Sequence, residues 1–227
     1  MNAVLKGRRR LLLLALVIVI GIAGWLLWRA ASGDASTPER QAFRQTFDSP
    51  ANWTVGEAAN GEAQIEDGRY VMTVELSGDI FWGSAGRTLA DGVYEVEAVA
   101  LEGTIDNGYG LLLRIDHDND RFYMFKISSD GFVYIGLCRD NCLEVEALVN
   151  RDWFASEAVN QGLDATNRLR VVAAGAQLTF FVNDSEVGQV VDNTLAQGDV
   201  GLMAETFTPG GLRVAFDNFE YTPLQSN

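Results

Sequence analysis

The stretch that decides the fold is residues 108–137, with the sequence GYGLLLRIDHDNDRFYMFKISSDGFVYIGL. It consists of three apolar runs separated by two short polar segments, which are rich in turn formers. Because side chains on a strand point alternately to opposite faces, Leu111, Leu113 and Ile115 are predicted to face a core and Arg114 to face outward. The stretch is therefore typical of consecutive antiparallel strands.

The chain on either side of this stretch has the same character. No proline occurs between Pro50 and Pro209, whereas glycine-containing turn signals recur throughout. Proline is excluded from central strands, so this distribution favours a sheet-rich domain. Residues 150–165 are expected to form a long loop or a single short helix. The sequence thus predicts an all-β antiparallel sandwich.

The N-terminus carries a separate signal. Residues 11–28, LLLLALVIVIGIAGWLLW, contain no charge and would span roughly 27 Å as a helix, close to the thickness of a hydrocarbon core. Four basic residues precede this run and one, Arg29, follows it, so the positive-inside rule places the N-terminus in the cytoplasm. An uncleaved anchor is favoured over a cleaved signal peptide, whose apolar region is about 7–15 residues. Both interpretations export the remainder of the chain.

The predicted organisation has five parts. They are a basic cytoplasmic tail (1–10), a transmembrane helix (11–28), a stalk (29–44), an all-β domain (45–223) and a C-terminal tail (224–227). The net charge is −14, and five of the 17 basic residues lie before Ala30. A domain this acidic would repel a phosphate backbone, so nucleic acid is excluded as a partner.

The decisive stretch resembles a known superfamily when three later segments are added. These are NRLRVVAAGAQLTFFVNDSEVGQVVD (167–192), GDVGLMAETF (198–207) and VAFDNFEY (214–221). Together they are similar to the concanavalin A-like lectin/glucanase superfamily, in particular its laminin G-like and 3-keto-disaccharide hydrolase-type domains. The resemblance covers residues 45–223 and implies a two-sheet jelly roll. In that superfamily glycans commonly lie on the concave sheet or at rim loops, sometimes with calcium.

The resemblance implies a pattern for the catalytic carboxylates of a glucanase, which is Glu-x-Asp-x-x-Glu on one strand. Glu95 and Glu97 share a strand face, as do Glu144 and Glu146, but neither pair matches the pattern. The alternative is that Glu95 and Glu97 face solvent and pair with basic side chains on neighbouring strands, such as Arg114 and Lys126. The second interpretation is preferred, and no catalytic residue is assigned beyond Glu95 and Glu97 as candidates.

Sugar recognition uses aromatic rings that stack on pyranose faces and polar side chains that bond hydroxyls. The candidate ligand-binding residues are Trp82, Tyr109, Arg114, Lys126, Tyr134 and Trp153. The alternative for each aromatic residue is packing in the core or on a sheet.

Residues 116–120, DHDND, are the candidate metal site, because alternating Asp116, Asp118 and Asp120 can present carboxylates to calcium. The preferred alternative is a solvated turn between two strands. No cofactor is predicted, and calcium is the ion that such a loop could bind.

Cys138 and Cys142 are the two cysteines of the chain. In an exported domain they are predicted to form a local disulfide, with free thiols or a metal site as alternatives.

The functional hypothesis is a single-pass cell-membrane protein whose extracytoplasmic domain binds carbohydrate or another surface ligand without catalysis. The first alternative is a glycoside hydrolase of the 3-keto-disaccharide type. The second is a structural or protein-binding ectodomain.

Overall fold

The alternating pattern of the sequence produces strands in the computed structural model, which describes residues 38–139, 142 and 144–224. These residues form strands and turns and no helix. In chain order the strands are β1 (Phe43–Gln45), β2 (Gly56–Ala58), β3 (Gly61–Glu66), β4 (Arg69–Val74), β5 (Ile80–Ser84), β6 (Gly92–Gly103), β7 (Gly108–Asp116), β8 (Arg121–Ser128), β9 (Phe132–Arg139), β10 (Glu144–Ala147), β11 (Phe154–Ala155), β12 (Asn167–Ala174), β13 (Gln177–Val182), β14 (Ser185–Val191), β15 (Asp199–Glu205) and β16 (Leu212–Pro223).

The strands form two sheets. Sheet A has the order β14-β13-β12-β6-β16-β4-β3-β2, with β1 also paired to β16. Sheet B has the order β10-β9-β8-β7-β15-β5, with β11 also paired to β9. All of these strand pairs are antiparallel. The predicted all-β antiparallel sandwich is confirmed.

The main core lies between the inward faces of the two sheets. Strand β6 contributes Tyr94, Val96, Ala98 and Ala100, and β7 contributes Leu111 and Leu113. Tyr123, Phe125 and Ile127 of β8 also belong to this core, as do Leu169 and Val171 of β12. On each of these strands the core residues are two positions apart, as the period of two in a regular strand requires.

Two hairpins are closed by two-residue turns. Asp67 and Gly68 connect β3 to β4 with φ values of 50° and 72°, and Asn183 and Asp184 connect β13 to β14 with φ values of 48° and 70°. Positive φ at both central residues is the geometry that matches the twist of a two-residue hairpin.

The prediction that Arg114 faces outward is wrong. The register of β7 against β8 shifts between Leu113 and Asp116, and Arg114 has a φ of 53°. This bulge turns the side chain inward, where it is 1% exposed. Ile115, predicted to face the core, instead joins a second apolar cluster on sheet B.

The described chain confirms the local disulfide, since Cys138 of β9 is bonded to Cys142. Residues 150–165 form a loop that contains the short strand β11 and no helix. Within the described residues no helix is long and apolar enough to cross a membrane. The predicted transmembrane helix, residues 11–28, lies outside them.

Candidate functional site

Sheet B carries a second apolar layer on the face turned away from the inter-sheet core. This layer arises because β7 and β8 are apolar on both faces, so a side chain such as Leu112 or Met124 has no place in the main core. We call it the outer layer. Its buried members are Leu112, Ile115, Phe122, Met124, Tyr134, Cys138 and Met203, and Trp82, Cys142, Ala147 and Trp153 pack against them.

The outer layer contains an open depression of about 320 Å³, which we call the apolar groove. Its lining consists of Ile80, Trp82, Leu112, Asp120, Phe122, Met124, Cys142, Val145 and Met203. Strand register places Trp82 of β5 directly opposite Met203 of β15. Ile80 and Val145 are 40% and 46% exposed, so the groove has accessible apolar margins. Its volume is at the lower end of the range of about 300–1,000 Å³ that ligand pockets occupy.

One wall of the groove is held by the turn between β7 and β8. The His117 ring stacks on Trp82 with a centroid separation of 5.8 Å and an interplanar angle of 25°. His117 Nε2 lies 3.0 Å from Asp199 Oδ2. Asp199 also accepts hydrogen bonds from the backbone N–H groups of Gly86 and Arg87, at 3.0 and 2.8 Å. These contacts hold the His117 ring in place against the Trp82 indole, which remains partly exposed.

Farther along the same sheet face, three predicted ligand-binding residues come together. Lys126 Nζ donates to the carboxylate of Glu205, and it lies 4.5 Å from the ring centroid of Tyr134 and 5.0 Å from that of Trp153. Burial raises the pKa of Tyr134, and the negative charges of Glu205 and Asp152 raise it further. The Lys126 charge is thus satisfied by Glu205 and by two aromatic faces. Lys126, Glu205, Tyr134 and Trp153 thus form a closed cluster on the outer face of sheet B.

The other two predicted ligand-binding residues do not lie on this face. Tyr109 is fully buried in the main core, and its hydroxyl is 3.0 Å from Ser129 Oγ. Arg114 donates to the carbonyl oxygens of Leu195 and Gly175 at 2.7 and 3.0 Å. Tyr109 is therefore not available to a ligand, and its assignment is corrected. Arg114 is 1% exposed and borders a different depression, at the end of the sandwich beside Asp91 and Leu195, so it does not belong to the site on sheet B.

The candidate catalytic residues lie on the opposite sheet. Glu95 and Glu97 alternate with the core residues of β6 and so face away from the core of sheet A. Glu95 Oε1 is 3.4 Å from Arg168 Nη1, and Glu97 Oε2 accepts from Asn218 Nδ2 at 2.9 Å. The preferred interpretation was pairing with a neighbouring strand. The basic partners of Glu95 are Arg168 and Arg170, whose Nε lies 3.9 Å from Glu95 Oε2, and not Arg114 or Lys126.

The aspartate segment forms the turn between β7 and β8. Asp116 Oδ2 accepts from Asn119 Nδ2 at 2.9 Å and from Arg121 Nε at 3.1 Å, and these hydrogen bonds lower the pKa of the Asp116 carboxyl. Asp118 donates its backbone N–H to the same carboxylate, while Asp120 lines the apolar groove. Among the described residues no group of three His, Cys, Asp or Glu side chains is placed to hold a metal ion.

Sequence reasoning missed most of the groove. Leu112, Phe122, Met124, Val145 and Met203 were not recognised as part of a site. A signal was present, because β7 and β8 are apolar at both odd and even positions, which is typical of a strand covered on both faces. The sequence offered no means of placing β5 and β15 beside them.

Solved structures share this two-sheet arrangement over most of the chain. The carbohydrate-binding module CBM66 from Bacillus subtilis matches with a TM-score of 0.58 and 16% identity, covering 74% of this chain and 94% of the module. A beta-glucanase from Bacillus licheniformis matches with a TM-score of 0.59 and 9% identity, covering 83% of this chain and 100% of the enzyme. The chain has the concanavalin A-like jelly-roll fold.

A third solved structure shares the same arrangement. A protein of unknown function with a galectin-like fold from Bacillus subtilis matches with a TM-score of 0.58 and 12% identity, covering 82% of this chain and 98% of that protein. No protein-family model and no curated protein sequence matches the chain. At these identities the comparisons establish the jelly-roll fold, and function must be argued from the site.

Proposed function

We propose that the chain is a membrane-anchored, extracytoplasmic module that binds carbohydrate without catalysis, and that the apolar groove is its binding site. Two of the similar structures are described as a carbohydrate-binding module and a beta-glucanase. That likeness supports carbohydrate as the ligand class. Whether the chain binds or cleaves a carbohydrate must be argued from the residues of the site.

The observation that carries the proposal is the partly exposed indole of Trp82 beside the aromatic ring of Phe122. Their ring centroids are 6.0 Å apart, and the His117 ring stacks on the indole. A fixed aromatic plane in a shallow groove can stack on the C–H face of a sugar ring. Such a contact contributes mainly through apolar area.

The carboxylates on this face favour binding over hydrolysis. Retaining glycosidases need two carboxyl groups about 5–5.5 Å apart across the scissile bond. On the outer face of sheet B, Glu205 forms an ion pair with Lys126, and Asp116 forms one with Arg121. The groove lining holds one further carboxylate, Asp120. The alternative, a glycoside hydrolase, would require a second carboxylate at that distance from Asp120.

The location rests on residues 11–28. Their length and lack of charge support a single membrane crossing, and the basic residues before them support a cytoplasmic N-terminus. The jelly-roll domain would then lie outside the cytoplasm and be held close to the membrane. A protein-binding ectodomain is the second alternative, and it would use the exposed margins of the same groove, Ile80 and Val145.

The test is a saccharide panel measured by titration calorimetry on the full chain in phosphatidylcholine nanodiscs, since many common detergents carry sugar headgroups. Trp82→Ala should weaken binding of any positive saccharide by about 30-fold, as expected for a central aromatic contact. The matched control is Phe181→Ala, which removes an aromatic ring stacked on Arg170 of sheet A. Equal affinity in both variants would contradict the groove as the site. Saccharide cleavage by the purified chain would contradict the non-catalytic assignment.

A further inference from the structure

The apolar groove contains few polar groups for a site that would bind sugar. Of the side chains that line it, Asp120 provides a carboxylate acceptor and Trp82 an indole N–H donor. The others are aliphatic, aromatic or sulfur-containing. The floor is made of β15, β7 and β8, whose backbone groups are engaged in the ladders between these strands. A ligand in the groove therefore has at most two side-chain polar partners.

This inventory determines which saccharides fit. A fully hydroxylated hexose exposes hydroxyl groups around its whole ring, and each hydroxyl that enters an apolar site without a partner loses its hydrogen bonds to water. A sugar that carries a methyl group or lacks a hydroxyl on its buried side avoids this loss. It also gains contact area against Leu112, Met124 and Met203.

The charge around the groove restricts the ligand further. Asp120 lies in the lining, and Asp118 lies on the same turn. Asp116 of this turn is neutralised by its ion pair with Arg121. The chain as a whole carries a formal net charge of −14. An anionic sugar would meet like charge at this rim and a repulsive long-range field.

We propose that the groove selects an uncharged saccharide whose buried side carries deoxy or O-methyl groups in place of hydroxyls. This inference rests on the proposed function, because it specifies the ligand class of the same site. A volume of about 320 Å³ suits one or two sugar rings and not a long oligosaccharide.

The experiment compares sugars that differ by one group, titrated at millimolar concentration against the full chain in phosphatidylcholine nanodiscs. The pairs are L-rhamnose with L-mannose and 3-O-methylglucose with glucose. Glucuronate tests whether a negatively charged sugar binds. The deoxy or methylated member of at least one pair should bind about tenfold more tightly than its parent, with no binding of glucuronate. Val145→Ser, at an exposed margin of the groove, should reduce this preference.

Val191→Ser is the matched control, because Val191 is an exposed valine on the edge strand β14 of the other sheet, and it should leave the preference unchanged. Parent sugars that bind as tightly as their partners, or glucuronate that binds more tightly, would overturn this inference while the proposed function stands. A chain that binds no saccharide would overturn both. A preference that Val191→Ser reduces as much as Val145→Ser would also overturn the inference.

Discussion

Arg114 Nη2 lies 3.0 Å from Asp91 Oδ1, and this ion pair joins the two sheets of the sandwich. Arg114 belongs to β7 in sheet B, whereas Asp91 directly precedes β6 in sheet A. The second carboxylate oxygen of Asp91 accepts from the Gly175 backbone N–H at 2.9 Å, and Arg114 donates to the carbonyl oxygen of the same glycine. A bulge that buries a charged residue is thus compensated by a hydrogen-bond network at one end of the sandwich.

Replacing Arg114 by methionine should destabilise the chain by about 3 kcal/mol, because carbonyl groups that Arg114 satisfies would lose their donors while the apolar volume is kept. The free energy of unfolding from urea titration of the full chain measures this. Asp91→Asn is the control, and its cost should be smaller because the Asp91 side chain is 46% exposed and water can replace part of its hydrogen bonding. A neutral Arg114→Met variant would show that the network contributes nothing.

A second buried polar network lies where β12 begins. Asn167 is fully buried. Its side chain accepts from Asn160 N at 2.7 Å and from Asn183 Nδ2 at 2.8 Å, and it donates to Asn160 O at 2.9 Å. It therefore fastens the loop before β12 to the turn between β13 and β14.

Asn167→Val should lower the free energy of unfolding by about 3 kcal/mol, because it removes these bonds and leaves buried partners unsatisfied. Thermal and urea unfolding of the full chain would measure the loss. Asn160→Ala is the comparison, since the exposed side chain of Asn160 makes a single hydrogen bond to Thr166 O, and its cost should be about 1 kcal/mol. If the two variants lose the same stability, burial of Asn167 is not the source of the effect.

Sequence patterns account for the regular strands of this fold and do not account for the bulge that buries Arg114. The core residues of β6, β12 and β13 follow period-two alternation, because a regular strand has a strict period of two and a core on one side. Alternation fails at Arg114, because a β-bulge shifts the pattern there and no residue in GYGLLLRI indicates that bulge. Tyr109 could have been assigned to the core, since it shares a face with Leu111 and Leu113.

The candidate site was predictable only in part. Trp82, Lys126, Tyr134 and Trp153 were proposed from residue type, and all four lie on the outer face of sheet B. Their division into an open groove and a closed ion-pair cluster depends on pairings between strands distant in sequence, such as Met203 of β15 opposite Trp82 of β5. Such pairings follow from topology and leave no local pattern.

The disulfide offers a third test of stability. It links residues four positions apart, and closing so short a loop should contribute about 2 kcal/mol in the chain-entropy model. Cys142→Ser should lower the free energy of unfolding by that amount. A thiol reductant should bring the wild-type chain to the value of the variant and leave the variant unchanged. A larger loss from the variant than from reduction would mean that Cys142 contributes through packing in the groove as well.

The last prediction concerns alkaline pH and Tyr123. Burial raises the pKa of Tyr123 to about 12 from its usual value of 10.0, and the carboxylate of Asp192, which accepts its hydrogen bond, adds to the increase. Because the folded-state pKa lies above the unfolded one, the fold favours the neutral phenol. The associated stability is complete below about pH 10 and is lost as the pH rises toward about 12.

Tyr123→Phe should start from a lower stability at neutral pH, since it loses the bonds to Asp192 and to the Leu195 N–H. Its free energy of unfolding should then fall less steeply in the alkaline range, by up to about 2 kcal/mol over the interval. Urea unfolding of the wild-type chain and the variant at several pH values measures both slopes. An unchanged slope in Tyr123→Phe would show that Tyr123 does not govern the alkaline loss.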